Sequence, residues 1–158
     1  MRLFLLGAPC AGKTTLMAPL RKALDGPVLD LDEELKQLNG GLWPSSFAAK
    51  RVLTRRILRE TSRLDDVVLA YSLLDDEDLA LLRERDWRLV LLDLPESVMR
   101  ERAAHREREE GWSNVHWLPS HLDNIAHLRE TGAFDDVLDA TLPVPEVVSA
   151  LTALVRSG

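Results

Sequence analysis

The chain has 158 residues, of which 46% are hydrophobic and 29% charged, a composition that suits one domain with one substantial core. Its 20 Lys and Arg against 26 Asp and Glu leave a net charge of −6, which disfavours a general nucleic-acid-binding surface. No apolar stretch is long enough to span a membrane, the N-terminal run lacks signal-peptide flanks, and the single Cys excludes an intramolecular disulfide, so a cytoplasmic protein is expected.

Leu3 to Leu6 is a short apolar run suited to a buried strand. It leads into Gly7-Ala8-Pro9-Cys10-Ala11-Gly12-Lys13-Thr14, which fits G-x-x-x-x-G-K-[ST] at every fixed position. Thr14 to Leu24 then carries Leu16, Leu20 and Leu24 at helical spacing, with Pro19 expected to kink the helix. Strand, Gly-rich loop and helix in this order form a phosphate cradle. The two glycines let the backbone approach a polyphosphate, and N–H groups from Gly7 through Thr15 point at its oxygens. Lys13 would bridge the β- and γ-phosphates of ATP, and the Thr14 hydroxyl would ligate Mg²⁺.

At this motif the chain resembles P-loop kinases. Gly-Ala-Pro-x-Ala-Gly-Lys is similar to the adenylate kinase spelling, with Cys10 where that family usually has Gly. Cys10 would either fill space or present a thiol to the helix N-terminus.

After the Gly26-Pro27 turn, Val28-Leu29 reads as a second strand running into Asp30-Leu31-Asp32, at the strand edge where open α/β sheets bind ligands. In shikimate kinase and similar small-molecule kinases an Asp-x-Asp in this place lies between the phosphate loop and the acceptor hydroxyl. The resemblance implies that Asp32 orients or deprotonates the acceptor and that Asp30 helps to hold Mg²⁺ or substrate. The same residues suit a helix N-terminus, with Asp30 and Glu33 at capping-box spacing.

Asn39-Gly40-Gly41 breaks the helix that follows, and Ser45 or Ser46 caps another reaching about Leu64. Arg51, Arg55, Arg59 and Arg63 fall at successive i+4 steps along it, with Lys50 and Arg56 alongside. By the resemblance, residues of about 33–64 form an acceptor-binding lobe in which Arg51, Arg55 or Arg56 grips an anionic acceptor group.

Val67 to Ala70 is a third strand ending in Tyr71-Ser72, where neither the triple glycine of shikimate kinase nor the adenylate kinase stretch is present. Tyr71 either faces the acceptor or closes the core. Asp75 caps a short helix, and Leu89 to Asp93 follows as a fourth strand whose terminal Asp93 is a rival for the Mg²⁺ role. Pro95 opens a helix that is polar all round from Arg100 to Glu110. Its position resembles the lid of small P-loop kinases, about residues 95–118, and implies that Arg102 and Arg106 clamp the phosphates. Trp112, His116, Trp117 and His121 crowd the next segment; the His spacing matches no metal motif. Ser120 and Asp123 frame a helix with Leu122, Ile125 and Ala126 inward, and Gly132 ends it. Val137-Leu138 is a fifth strand, Asp139 to Pro143 the loop expected to seat adenine, and a last helix buries Val147, Val148, Leu151, Leu154 and Val155.

The alternation predicts one α/β domain over residues 1–158, a three-layer P-loop NTPase fold whose five parallel strands, by the resemblance, lie in the order 2-3-1-4-5. The expected activity is ATP- and Mg²⁺-dependent phosphoryl transfer to a small metabolite, nucleoside or nucleotide. The alternative is a nucleotide-binding switch or regulatory NTPase in which water is the acceptor and Asp93 holds the metal.

Overall fold

The computed structural model describes residues 1–111 and 115–157. Five parallel strands, β1 (Arg2–Leu6), β2 (Val28–Asp30), β3 (Val67–Tyr71), β4 (Trp87–Asp93) and β5 (Asp136–Asp139), form one sheet in the order β2-β3-β1-β4-β5. The expected topology is the one observed. β1 lies at the centre, Phe4 registering with Leu69 of β3 on one side and with Leu89 of β4 on the other. Such a strand has no solvent-facing side, which is why Leu3 to Leu6 reads as an unbroken apolar run and is fully buried.

Seven α-helices are described: α1 (Lys13–Ala23), α2 (Leu31–Leu38), α3 (Phe47–Thr61), α4 (Asp76–Arg83), α5 (Glu96–Glu110), α6 (Leu118–Glu130) and α7 (Val144–Arg156). Their starts follow local chemistry. Asp30 caps α2, Ser46 caps α3 by accepting from the Ala49 N–H, and Asp75 caps α4 by accepting from the Asp78 N–H. Gly40 and Gly41, both at positive φ, end α2 as expected. α1 runs through Pro19 within one helix.

Among the boundaries that differ from the sequence reading, two have a clear physical cause. β4 begins at Trp87, two residues early, because its indole packs edge-on to Phe4 at 6.4 Å and its Nε1 donates to Ser62 Oγ at 2.8 Å. α6 begins at Leu118 with Pro119 in its first turn, so its buried stripe is Leu118, Ile125 and Leu128, and Ala126 is exposed. Ser120 lies inside that helix and donates to Trp117 O at 2.9 Å. Among the described residues no helix is long and apolar enough to cross a membrane.

Candidate active site

All five strands point the same way, so their C-terminal ends share one edge, and the loops leaving β1, β2 and β3 build the site there. Gly7 leaves β1 with no room for a side chain: a Cβ would meet Ala11 Cβ at 3.1 Å and Leu92 Cβ at 3.2 Å. Gly12 turns the chain into α1 at φ +94° and supplies no side-chain cap, which leaves the first N–H groups of the helix directed into the loop's concavity. Cys10 adopts φ 67°, the left-handed conformation that glycine takes freely and that costs another residue about 1–2 kcal/mol. The backbone shape of the glycine is thus retained at Cys10 although the residue is not.

Lys13 Nζ reaches back over the loop and donates to Gly7 O at 2.5 Å and Ala8 O at 3.0 Å. Burial lowers its ammonium to about 8, opposed by attraction to Asp32 and then Asp30, while Arg106 pushes in the same direction as burial. These influences place Arg106 of α5, Asp30 at the end of β2 and Asp32 in the first turn of α2 around one lysine. Asp30 Oδ1 accepts the Asp32 N–H at 2.9 Å, so Asp30 caps α2 and also stands at the ligand-binding edge. Burial, and then Asp30, push the Asp32 carboxyl up; Lys50, Lys13 and Lys36 pull it back.

These groups fit Mg²⁺. The Thr14 hydroxyl is exposed in the first turn of α1, and the carboxylates nearest Lys13 are hard oxygen donors. Among the described residues no three His, Cys, Asp or Glu side chains gather into a cage. Mg²⁺ needs none, since it is commonly held by one or two carboxylates, substrate phosphates and water.

Helix α5, where the sequence led us to expect a lid, buries only Met99 and Ala103. Arg102 Nη1 donates to Cys10 O at 3.2 Å, crossing directly onto the phosphate loop, and Arg106 acts on Lys13. Between the loop, α5 and the start of α7 lies a cavity of about 720 Å³ lined by Cys10, Thr15, Arg102, Arg106, Ala140 and Leu142. Its far wall is the β5–α7 loop expected to seat adenine. Mg-ATP is therefore expected to slow labelling of Cys10 by a maleimide; equal rates with and without it would take the nucleotide out of this cavity.

Not every expected residue meets the cleft. Arg51 and Arg55 turn toward the first turn of α4: Arg51 lies 3.4 Å from Asp75, and Arg55 pairs with Glu77 and lies 3.4 Å from Asp78. Burial, and then Asp75, raise Asp78 to about 6 in spite of Arg55. Removing the guanidinium would leave that buried carboxylate unmatched, so Arg55→Ala is expected to cost about 3 kcal/mol by denaturant unfolding and Arg51→Ala less than about 1 kcal/mol. Equal small losses would mean that the cluster is mere surface pairing. Asp93 is occupied by Arg129 of α6 at 2.7 Å and is not among the charges acting on Lys13. Trp112 lies outside the described residues.

Further side chains, beyond the expected site residues, gather around Tyr71 and Lys13. Lys50 Nζ sits 5.5 Å from the Trp43 ring centre and 5.4 Å from that of Tyr71, and Lys36 Nζ sits 4.8 Å over Trp43. Tyr71 is buried and hydrogen-bonded to Thr54, its phenol pushed well up by burial and then by Asp32. His121 of α6 has Lys13 and Lys50 as charge neighbours. A signal for Lys50 existed: it heads the stripe of Thr54, Ile57, Leu58 and Thr61 that α3 buries.

A family described as an AAA domain matches residues 3–116. The chain belongs to that family. This AAA domain chain is 31% identical over 110 residues to "Shikimate kinase" of Aquifex aeolicus, an alignment covering 65% of each chain, so it spans just under two thirds of that relative. Its fold is similar to that of shikimate kinase from Bacteroides thetaiotaomicron, at TM-score 0.75 and 20% identity over 99% of this chain and 98% of the other. It is also similar to that of a gluconokinase from Sinorhizobium meliloti, at TM-score 0.65 and 20% identity over 99% and 94% of the two chains. The three-layer P-loop kinase fold is thereby established.

Proposed function

We propose that the protein is an ATP- and Mg²⁺-dependent kinase that transfers the γ-phosphoryl group to a hydroxyl of a small metabolite. The observation that carries this reading is the convergence on Lys13 of Asp30 from the end of β2, Asp32 from the first turn of α2 and Arg106 from α5. Cations for a transferring phosphoryl group and a carboxylate for an attacking hydroxyl meet at one point. The similarity to "Shikimate kinase" of Aquifex aeolicus supports a small-molecule acceptor.

In this mechanism residues Gly7 to Thr15 cradle the phosphates by backbone N–H groups, and Lys13 moves from the Gly7 and Ala8 carbonyls to the β- and γ-phosphate oxygens. Thr14 and Asp30 would hold Mg²⁺, which would supply charge neutralisation for the phosphates. Asp32 orients the acceptor hydroxyl and takes its proton. Arg102 and Arg106 close over the equatorial oxygens and exclude water. Residues of about 95–118 act as the lid and those of about 33–64 as the acceptor lobe. In that lobe Lys50 faces the cleft, while Arg51 and Arg55 reach an anionic acceptor group only by leaving their α4 partners. A cytoplasmic ATP pool is the phosphoryl source this reading requires. The pairing of Asp93 with Arg129 supports Asp30 over Asp93 for Mg²⁺, which weighs against the switch alternative.

ADP release from Mg-ATP, measured against pools of nucleosides, nucleotides, sugars, hydroxy acids and aminoglycosides with a no-acceptor control, tests the proposal. Release that depends on one pool is expected. Equal release in every well, lost in Lys13→Ala, would make the protein an NTPase instead.

A further inference from the structure

α6 is seated beside the C-terminal end of β3 by Asn124, whose Oδ1 accepts the Leu74 N–H at 3.2 Å and whose Nδ2 donates to Leu74 O at 2.9 Å. One turn earlier on that face is His121, in register with the buried stripe Leu118, Ile125 and Leu128. His121 is half-buried on this stripe, one turn from the Asn124 that is tied to Leu74, and has Lys13 and Lys50 as charge neighbours.

The ring is held in one tautomer. His121 Nδ1 lies 2.7 Å from Trp117 O, and a carbonyl can only accept, so the ring proton is on Nδ1 and Nε2 carries a lone pair. Burial lowers the imidazole's pKa and the Lys13 and Lys50 ammonium groups lower it further, against the Trp117 carbonyl, which keeps the ring neutral at pH 7. No described residue donates to Nε2.

What can pair with this atom is restricted. A lone pair accepts from a donor, and a ligand hydroxyl is the donor that the kinase reading already brings to this cleft, before Asp32. We infer that His121 is a specificity-determining residue of the acceptor site, its Nε2 accepting a hydrogen bond from a second hydroxyl of a polyhydroxylated acceptor whose first hydroxyl is presented to Asp32. The inference rests on the kinase reading above and assigns a contact that reading does not contain.

The test uses the member of the active pool that the wild-type protein phosphorylates, together with its analogues lacking one hydroxyl each. With the full acceptor, His121→Ala is expected to lower kcat/KM by about 10–100-fold, the cost of leaving a hydroxyl unpaired, with KM for ATP unchanged. His121→Gln, whose amide oxygen also accepts, is expected to restore most of it. One deoxy analogue should be poor with the wild type yet no poorer with His121→Ala, the coupling that a purely structural role would not produce. If His121→Ala lowers turnover of the full acceptor and of every analogue by the same factor, or leaves the full acceptor unaffected, His121 does not read a hydroxyl. If the wild-type protein phosphorylates no pool member, the kinase reading itself fails. Turnover by the wild type with an indifferent His121→Ala overturns this inference alone.

Discussion

Lys13→Met is expected to reduce phosphoryl transfer by about 10²–10³-fold or more while making the protein more stable at pH 7. The loss follows from removing the cation that meets the β- and γ-phosphates. The gain follows from burial: the folded state holds Lys13 at about 8 rather than the ordinary 10.5, so keeping the ammonium charged costs the fold about 3 kcal/mol at pH 7. Two hydrogen bonds to Gly7 and Ala8 are lost with it, so the net gain is about 1–2 kcal/mol, a rise of several degrees in Tm. The pH dependence fixes the sign. Above pH 8 the folded lysine is neutral while the unfolded one still holds its proton, so wild-type stability rises with pH toward 10.5, and the variant lacks this rise. The comparison belongs below about pH 9.5, because Tyr71, whose phenol is raised by burial, lowers stability once the unfolded tyrosine ionises near 10. Denaturant unfolding of both proteins at pH 7 and 9 checks the prediction; a variant less stable than the wild type at pH 7 would contradict it.

Asp32→Asn is expected to lower transfer by about 10²–10⁴-fold with little change in KM for ATP, because the amide cannot take the hydroxyl proton. Burial and Asp30 raise the Asp32 carboxyl above the ordinary range. The base must be ionised to act, so wild-type kcat/KM should fall on acidification at a higher pH than an ordinary carboxylate would give. Asp30→Asn should behave differently. Asparagine also caps helices, so α2 survives, and the defect should be a raised Mg²⁺ requirement. Full transfer activity in Asp32→Asn would remove Asp32 from the chemistry.

The fold was legible in the sequence because its signals are local. A central parallel strand must be apolar throughout, as Leu3 to Leu6 is, and the caps at Asp30, Ser46 and Asp75 and the glycines after α2 act within four residues of themselves. The phosphate loop was legible for the same reason: its backbone shape is written in Gly7 and Gly12, and Cys10 holds the left-handed turn at some cost.

The acceptor side was harder, because its residues meet only through tertiary packing. The i+4 row from Arg51 to Arg63 drew attention to cations, yet what Arg51 and Arg55 would face depended on where α4 would lie, and α4 brings Asp75, Glu77 and Asp78. Lys50, one residue earlier, is turned by 100° onto the buried stripe of α3 and so toward Tyr71 and Asp32. His121 was obscured by the start of α6: a helix beginning at Ser120 gives it only Ile125 as an inward neighbour along its row, whereas one beginning at Leu118 sets it between Leu118 and Ile125. Asp93 had the letters of a metal-binding strand end, but Arg129, distant in sequence, pairs with it.

The most direct test follows the phosphorus. The protein is incubated with Mg²⁺, γ-labelled ATP and the acceptor pool, and the label is traced to its product. Label is expected in a new phosphate monoester, formed in proportion to ADP and absent in Lys13→Met. Label appearing only as inorganic phosphate, at a rate indifferent to every acceptor, would contradict the kinase reading.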